Sequence, residues 1–491
     1  MCSHEPSITR REALKAGVGG LGAAAALLSV PRFLRASEAM HAPVAPLTDL
    51  EVALRAARWI RSARIETANG VTWPADPLKP SSVGTDLYNG MPGVILFHLE
   101  LFHATGDRSW LEEAKLGANE LIGKLPEIDK AQNAGLYTGL AGAAFVLEET
   151  HRASGEGKYR DAVKSAVMMI RAQARKTPLG VAWSGPSDTN DIISGSAGIG
   201  LTLLWIDQNI GDPASRTLAL AVGRHLAEIG IPANGGVKWN VAPTVKNLYP
   251  NFSHGTAGVA YFLATLLNAT GERSFMATAL SGARYLENVA NTDANGLKVF
   301  HHEPGGEDLY YLSWCHGPAG TTRLFHRMQQ ITQRDRWEEL VRKGARATIA
   351  SGVPEKQSPG YWNNISQCCG NAGVGEFFIA LQRRAPNAEY AQMIRRVATN
   401  TLERATPDGD GLKWIQAENR VSPTEVVAQT GYMQGAAGVG SFYLHADALA
   451  KGRKPAIVWP DSPEFVACSS SAKKDPSDMS FLAGRGANCP P

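Results

Sequence analysis

Six cysteines occur among 491 residues, too few for a disulfide scaffold, yet three of them stand in a pattern that could do chemistry. Cys315 lies two residues before Gly317, while Cys368 and Cys369 lie two and one before Gly370. Both glycines open the same Gly-x-x-Gly turn, so these cysteines occupy equivalent places in two copies of one unit. His316 fills the place between Cys315 and Gly317. Zinc prefers Cys and His ligands in a tetrahedron, and catalytic sites keep three protein ligands and one open position. Cys315, Cys368 and Cys369 would supply three thiolates to Zn2+, with His316 in reserve. Two other readings stand beside this one: a Cys315–Cys368 disulfide, permitted in an exported protein, or small buried side chains without chemistry. A disulfide between the vicinal Cys368 and Cys369 would be badly strained. Cys468 and Cys489, in a Ser/Lys/Pro-rich tail, are candidates for pairing in an oxidising compartment.

The elements that must position these residues recur along the chain. Gly-x-x-Gly opens an apolar run seven times, at Gly90, Gly139, Gly195, Gly255, Gly317, Gly370 and Gly435. One such motif is weak, but seven at a quasi-period of 49 to 65 residues indicate a repeat architecture. Twenty residues after the first glycine come Trp110, Tyr159, Phe275, Trp337 and Tyr390, with Ser215 breaking the rule. Each aromatic follows a turn and opens a second helix. The first helix of a repeat is apolar nearly all round (Val259 to Leu267), as expected of a buried helix. The second is amphipathic, with Leu111, Ala114, Ala118, Leu121 and Leu125 on one stripe. Repeat seven lacks a second helix, and residues 49–66 form an amphipathic helix without a partner. Joining them closes the set and leaves no terminal repeat to cap. The expected fold is all-α, an (α/α)7 double toroid of seven inner and seven outer helices over residues 40–460. Trp59 and Ile60 should then pack near residues 442–449. Gly followed by an aromatic (Gly70/Trp73, Gly180/Trp183, Gly236/Trp239, Gly360/Trp362, Gly411/Trp414) suggests short strands in the loops at one face. The inner-helix N-termini gather there, and their partial positive charge should favour anions.

At the mouth, Trp314-Cys315-His316-Gly317, Cys368-Cys369-Gly370-Asn371-Ala372-Gly373 and Ser253-His254-Gly255 resemble the lanthionine synthetase C-like family. The resemblance runs over nearly all of 47–460, and Pro460-Asp461-Ser462-Pro463 is similar to the family's closing segment. It implies a zinc-bearing toroid that adds a peptide cysteine thiol to dehydroalanine or dehydrobutyrine. It further implies that Cys315 and Cys368 are zinc ligands and that Cys369 stands where most members have a histidine, a three-cysteine variant. His254 becomes the general acid/base candidate and Asp191 its acidic partner. Structural roles are open to both, a helix-capping loop histidine and an N-terminal capping carboxylate. Tyr311 departs from the pattern, because peptide cyclases tend to carry arginine there.

The chemistry follows from thiol acidity. A free thiol titrates near pH ~8.5, and zinc coordination deprotonates it outright. Addition to the alkene β-carbon leaves an enolate that His254 would protonate. Three protein thiolates put the centre at net −1, more electron-rich than a Cys2His site. The partner would be a peptide, or a small thiol with a dehydroamino acid. The length left beside signal, toroid and tail holds no dehydratase, so the dehydroamino acid is expected from a separate protein or from spontaneous chemistry. Two rival functions are a zinc-stabilised peptide-binding module without turnover, and a carbohydrate-active toroid using two carboxylates among Asp191, Glu303, Asp308 and Glu376.

Composition narrows the rest. Charged residues at 19% with 44% hydrophobic fit a folded protein, and 49 basic against 46 acidic residues give no reason to expect nucleic acid. Residues 1–39, with Arg10-Arg11, a Gly/Ala-rich run and Ser37-Glu38-Ala39, resemble a twin-arginine export signal. A periplasmic or secreted protein without a membrane span after signal cleavage is expected, its residues 461–491 an irregular tail.

Overall fold

Every Gly-x-x-Gly turn starts a helix, and the helices come in pairs. The computed structural model describes residues 47–183 and 188–465. The expected export signal and the pair Cys468 and Cys489 lie outside the described residues. The first helix, α1 (Asp49–Ser62), precedes the repeats. Then follow α2 (Met91–Thr105) with α3 (Arg108–Lys130), α4 (Leu140–Ser154) with α5 (Gly157–Ala172), and α6 (Ser196–Ile210) with α7 (Pro213–Glu228). The next pairs are α8 (Thr256–Thr270) with α9 (Ser274–Val289), α10 (Pro318–Thr332) with α11 (Asp335–Ala350), and α12 (Asn371–Arg384) with α13 (Ala388–Glu403). The last, α14 (Ala436–Ala450), packs against α1 as each other inner helix packs against its outer partner. Trp59 and Ile60 are buried, and the ring closes as an all-α (α/α)7 toroid.

Even-numbered helices form the inner ring, α14 against α2 completing it. They are buried on nearly every side because their residues are apolar nearly all round. Each begins at the first glycine of its turn, whose extended backbone offers no side-chain cap. A Cβ on Gly255 would lie 1.8 Å from the Tyr249 carbonyl oxygen, so only glycine lets the loop approach so closely. That approach caps the helix: Thr256 N donates to Tyr249 O (3.1 Å) and Ala257 N to Pro250 O (2.9 Å). The same bonds from residues seven apart start α2, α4, α6 and α14. The expected anion-binding mouth is therefore corrected, because these orphan donors are already spent on loop carbonyls.

The aromatics that open the outer helices (Trp110, Tyr159, Phe275, Trp337, Tyr390) are buried. Where Ser215 breaks the rule, its hydroxyl donates to Asp212 (2.8 Å) and accepts from Arg171 (3.1 Å). The loops carry two-stranded antiparallel hairpins: β1–β2 (Ile65–Glu66, Val71–Thr72), β3–β4 (Arg175–Lys176, Val181–Ala182) and β5–β6 (Ile231–Ala233, Gly236–Lys238). Then come β7–β8 (Asn291–Asp293, Gly296–Lys298), β9–β10 (Thr406–Asp408, Gly411–Lys413) and β11–β12 (Ile415–Ala417, Val426–Ala428). The Gly/aromatic rule missed β7–β8, and at Gly360 only an isolated bridge, Ser358 to Tyr361, forms. Three of the tryptophans do more than pack. The indole N–H of Trp183, Trp239 and Trp414 donates to the carbonyl of Ile170, Leu226 and Thr401, each thirteen residues earlier, at 2.7 to 2.8 Å. Those carbonyls sit in the last turn of α5, α7 and α13, where no intrahelical donor reaches them.

One inner helix differs from the rest. On α10, Arg323, Arg327 and Gln330 lie along one polar stripe (i, i+4, i+7). Arg323 donates to Asp461 carboxylate and carbonyl (both 3.1 Å), Arg327 to the Phe465 carbonyl (2.6 Å), and Gln330 to Pro463 (3.3 Å). Asp461 and Phe465 are buried, so the segment through residue 465 is packed on α10. Trp459 stacks on Tyr137 and lies against Tyr432. Among the described residues no helix is long and apolar enough to cross a membrane.

Candidate metal centre

Just before the inner helices, the seven turns are tied to one another by backbone. Tyr88 N donates to Tyr137 O (3.0 Å), Tyr137 N to Ile193 O (2.8 Å) and Ile192 N to Ser253 O (3.1 Å). Ser253 N donates to Cys315 O, Cys315 N to Cys368 O and Cys368 N to Met433 O, each at 3.0 Å. Met433 N returns to Tyr88 O (2.8 Å). The result is a closed hoop, all bonds running in one sense, through the residue two places before each first glycine, except that in the third turn Ile193 accepts and its neighbour Ile192 donates. Cys315 and Cys368 are consecutive links of it, and adjacency in the hoop overrides their separation in sequence.

The hoop converges the thiols. Cys369 Sγ lies 3.2 Å from Cys315 Sγ and 3.4 Å from Cys368 Sγ, and all three sulfurs fall within 4.8 Å of one another. All three are buried and none is in a disulfide, so the Cys315–Cys368 bridge is absent. A tetrahedral zinc with sulfur at about 2.3 Å spaces its ligands about 3.8 Å apart. Relaxation by a few tenths of an ångström would admit the ion, and the set fits it in donor type and number. His316 does not join this group. Its ring instead faces His301 at 4.2 Å and Tyr249 at 5.2 Å, with Nε2 3.5 Å from the Ser253 hydroxyl.

In the next turn round the hoop, His254 Nδ1 lies 2.5 Å from Asp191 Oδ2. Asp191 is 1% exposed and its other oxygen accepts from Ser194 N (2.9 Å). The carboxylate thus caps its own turn and also orients the imidazole of the next repeat. The His254 side chain is 20% exposed. The carboxylates of the carbohydrate reading are not gathered with Asp191. Glu303 is engaged by Lys238 (2.7 Å) and Tyr285 (3.2 Å), Glu376 by His445 (2.7 Å), and Asp308 is exposed.

A cluster of rings that no repeat motif announced surrounds His254 and His316. Tyr249 sits within 5.2 to 6.2 Å of four imidazoles, His254, His301, His302 and His316. Tyr311 lies 4.2 Å from His301 and 5.2 Å from Trp362. Burial, then the charges of His302, Arg420 and His254, hold the His301 pKa well below its usual value, so this imidazole is neutral. The dipeptide His301-His302 was the visible signal.

Fold and site together define a class: an α/α toroid with three buried cysteines at one mouth, close enough together to hold a metal ion. The model of the lanthionine synthetase C-like protein family matches residues 81–461, and the chain belongs to that family. Among solved structures it is similar to nisin cyclase, at 16% identity and a TM-score of 0.55, over 81% of this chain and 93% of that one. An α-1,6-mannanase variant of Salegentibacter sp. HEL1_6 shares 10% identity (TM-score 0.47, 82% of this chain and 99% of the other). The Lin0763 protein of Listeria innocua shares 12% (TM-score 0.47, 83% and 99%). A search of curated protein sequences finds no match.

Proposed function

We propose that this protein is a zinc-dependent enzyme of thiol addition, forming thioethers from dehydroamino acids in the manner of a lanthionine cyclase. The observation that carries the proposal is the convergence of three buried cysteine sulfurs beside an oriented His–Asp pair on one closed hoop. Cys315, Cys368 and Cys369 would hold the zinc, which when bound would deprotonate a substrate thiol. Sulfur bonds to the β-carbon, the alkene π bond breaks, and the α-carbon gains a proton, so nothing leaves. Asp191 holds the Nδ1 side of His254, fixing the tautomer that presents Nε2 as proton carrier. The rings packed around Tyr249 would narrow the approach of water to the reacting atoms. A peptide substrate, a dehydratase supplied separately and export through the Arg10-Arg11 signal complete the reading.

The test is metal analysis together with turnover of a dehydroalanine peptide and a thiol. One equivalent of zinc is expected in the wild type and none in Cys315→Ala or Cys368→Ala, with helical content retained. Zinc-loaded protein that turns over no such substrate would leave a binding module instead. Retention in the cytoplasm after Arg10→Lys with Arg11→Lys checks the export route, and unchanged export would overturn it.

A further inference from the structure

A second cavity, of about 530 Å3, lies between α10, α12 and the C-terminal segment. None of Cys315, Cys368, Cys369, His254 or Asp191 lines it. α10 and α12 are the most loosely packed neighbours of the inner ring, because the polar stripe of α10 turns to the C-terminal segment. The wall is mainly apolar, with Trp314, Val341, Phe377, Tyr432 and Trp459. Its size falls within the range of small-molecule sites, about 300–1,000 Å3.

Not every cation around it is paired with a carboxylate. Arg323 is paired with Asp461 (3.1 Å) and Arg384 with Glu338 (3.0 Å). Glu376 is matched by His445, which also meets Glu100 (3.2 Å). Glu464 stands exposed at the edge. Two guanidiniums, however, meet no carboxylate among the described residues. Arg383, on the cavity wall, donates to the carbonyls of Arg453 (2.6 Å) and His445 (3.2 Å). Arg327, fully buried just behind, has only the Phe465 carbonyl, the Tyr261 hydroxyl and Gln330. The Nε of each is buried without an acceptor, and so is Nδ1 of His326 on the same wall. Burial, then the charges of Arg384 and Arg327, hold the His326 pKa down to about 3, so the imidazole is neutral there. Arg327 is a buried cation without an anion, which is costly, and the half-buried Arg383, its Nε unmet beside an apolar wall, suits a ligand that brings a carboxylate.

We propose that this cavity binds an amphipathic monocarboxylate, its apolar body against Phe377 and Trp459 and its carboxylate at Arg383, with His326 the second polar contact. The probe is dansyl-undecanoate, followed by its own emission in the presence of the full chain. Saturable one-to-one binding is expected, displaced by decanoate and not by decylamine. Arg383→Gln should weaken it about tenfold, as loss of a charge-assisted hydrogen bond does. Ala380→Trp, at an exposed position on the cavity wall, should abolish it without disturbing the fold. Zinc content and thiol addition should be unchanged in both variants. Absence of saturable binding, equal displacement by decylamine, or affinity indifferent to both substitutions would each overturn the proposal.

Discussion

At position 369 a thiol stands where the family resemblance leads one to expect a histidine, and it decides the charge of the centre. Three thiolates with Zn2+ sum to −1, whereas two thiolates and an imidazole sum to zero. Cys369→His is therefore expected to keep one equivalent of zinc while lowering the rate of thiol addition at saturating substrate. Loss of the metal in that variant would mean that the hoop cannot present an imidazole at this place. Tyr311 raises a different question. It packs on His301 and Trp362, so the place where cyclases tend to carry a cation is here a neutral, buried wall. Far from the thiols, His98 is enclosed by Trp73, Phe97 and Trp110. Burial, then the nearby charge of Arg61, holds its pKa down to about 3. The folded protein keeps this ring neutral, while the unfolded chain protonates it below the usual 6.5. Stability should thus be full above pH 6.5 and be lost as pH falls towards 3, by about 1.4 kcal/mol per unit. His98→Leu should flatten that limb in urea titrations taken between pH 4 and 7; an unchanged slope would assign the acid lability elsewhere.

The elements show what a periodic sequence reveals and what it hides. Seven glycine turns and the aromatics twenty residues on are local signals, and they announced fourteen helices and their pairing. The site was legible only in part. Cys315, Cys368 and Cys369 were found because they occupy matching slots, but His301, His302 and Tyr249 belong to no repeating slot. They meet only because the loops of repeats four and five fold over the same turn. The polar stripe on α10 was equally silent, since its partners, Asp461, Pro463 and Phe465, are more than 130 residues away. A repeated detail gives a test at this scale. Trp239 caps the end of α7 through one bond to the Leu226 carbonyl (2.7 Å). Trp239→Phe keeps most of the apolar bulk and leaves that buried carbonyl unmet, so a loss of about 1–3 kcal/mol is expected by urea denaturation. A smaller loss would show that water reaches the helix end.

Across the whole molecule, α1 from the beginning of the body and α14 from its end are partners, so the first and last repeats share one seam. The hoop of backbone bonds crosses the same seam at Met433 and Tyr88 (2.8 Å). Ordinary ladders of hydrogen bonds fray, because a helix or strand has ends whose bonds open first. A closed circuit has no end from which to unzip. Local opening at one link must therefore bend its neighbours, and the cost is shared round the circle. Amide hydrogen exchange would report this directly. The N–H groups of Tyr88, Tyr137, Ser253, Cys315, Cys368 and Met433 should be among the slowest in the protein and exchange at one common opening free energy. A graded series from one side of the circle to the other would mean that the seam between the two ends of the chain behaves as a loose join.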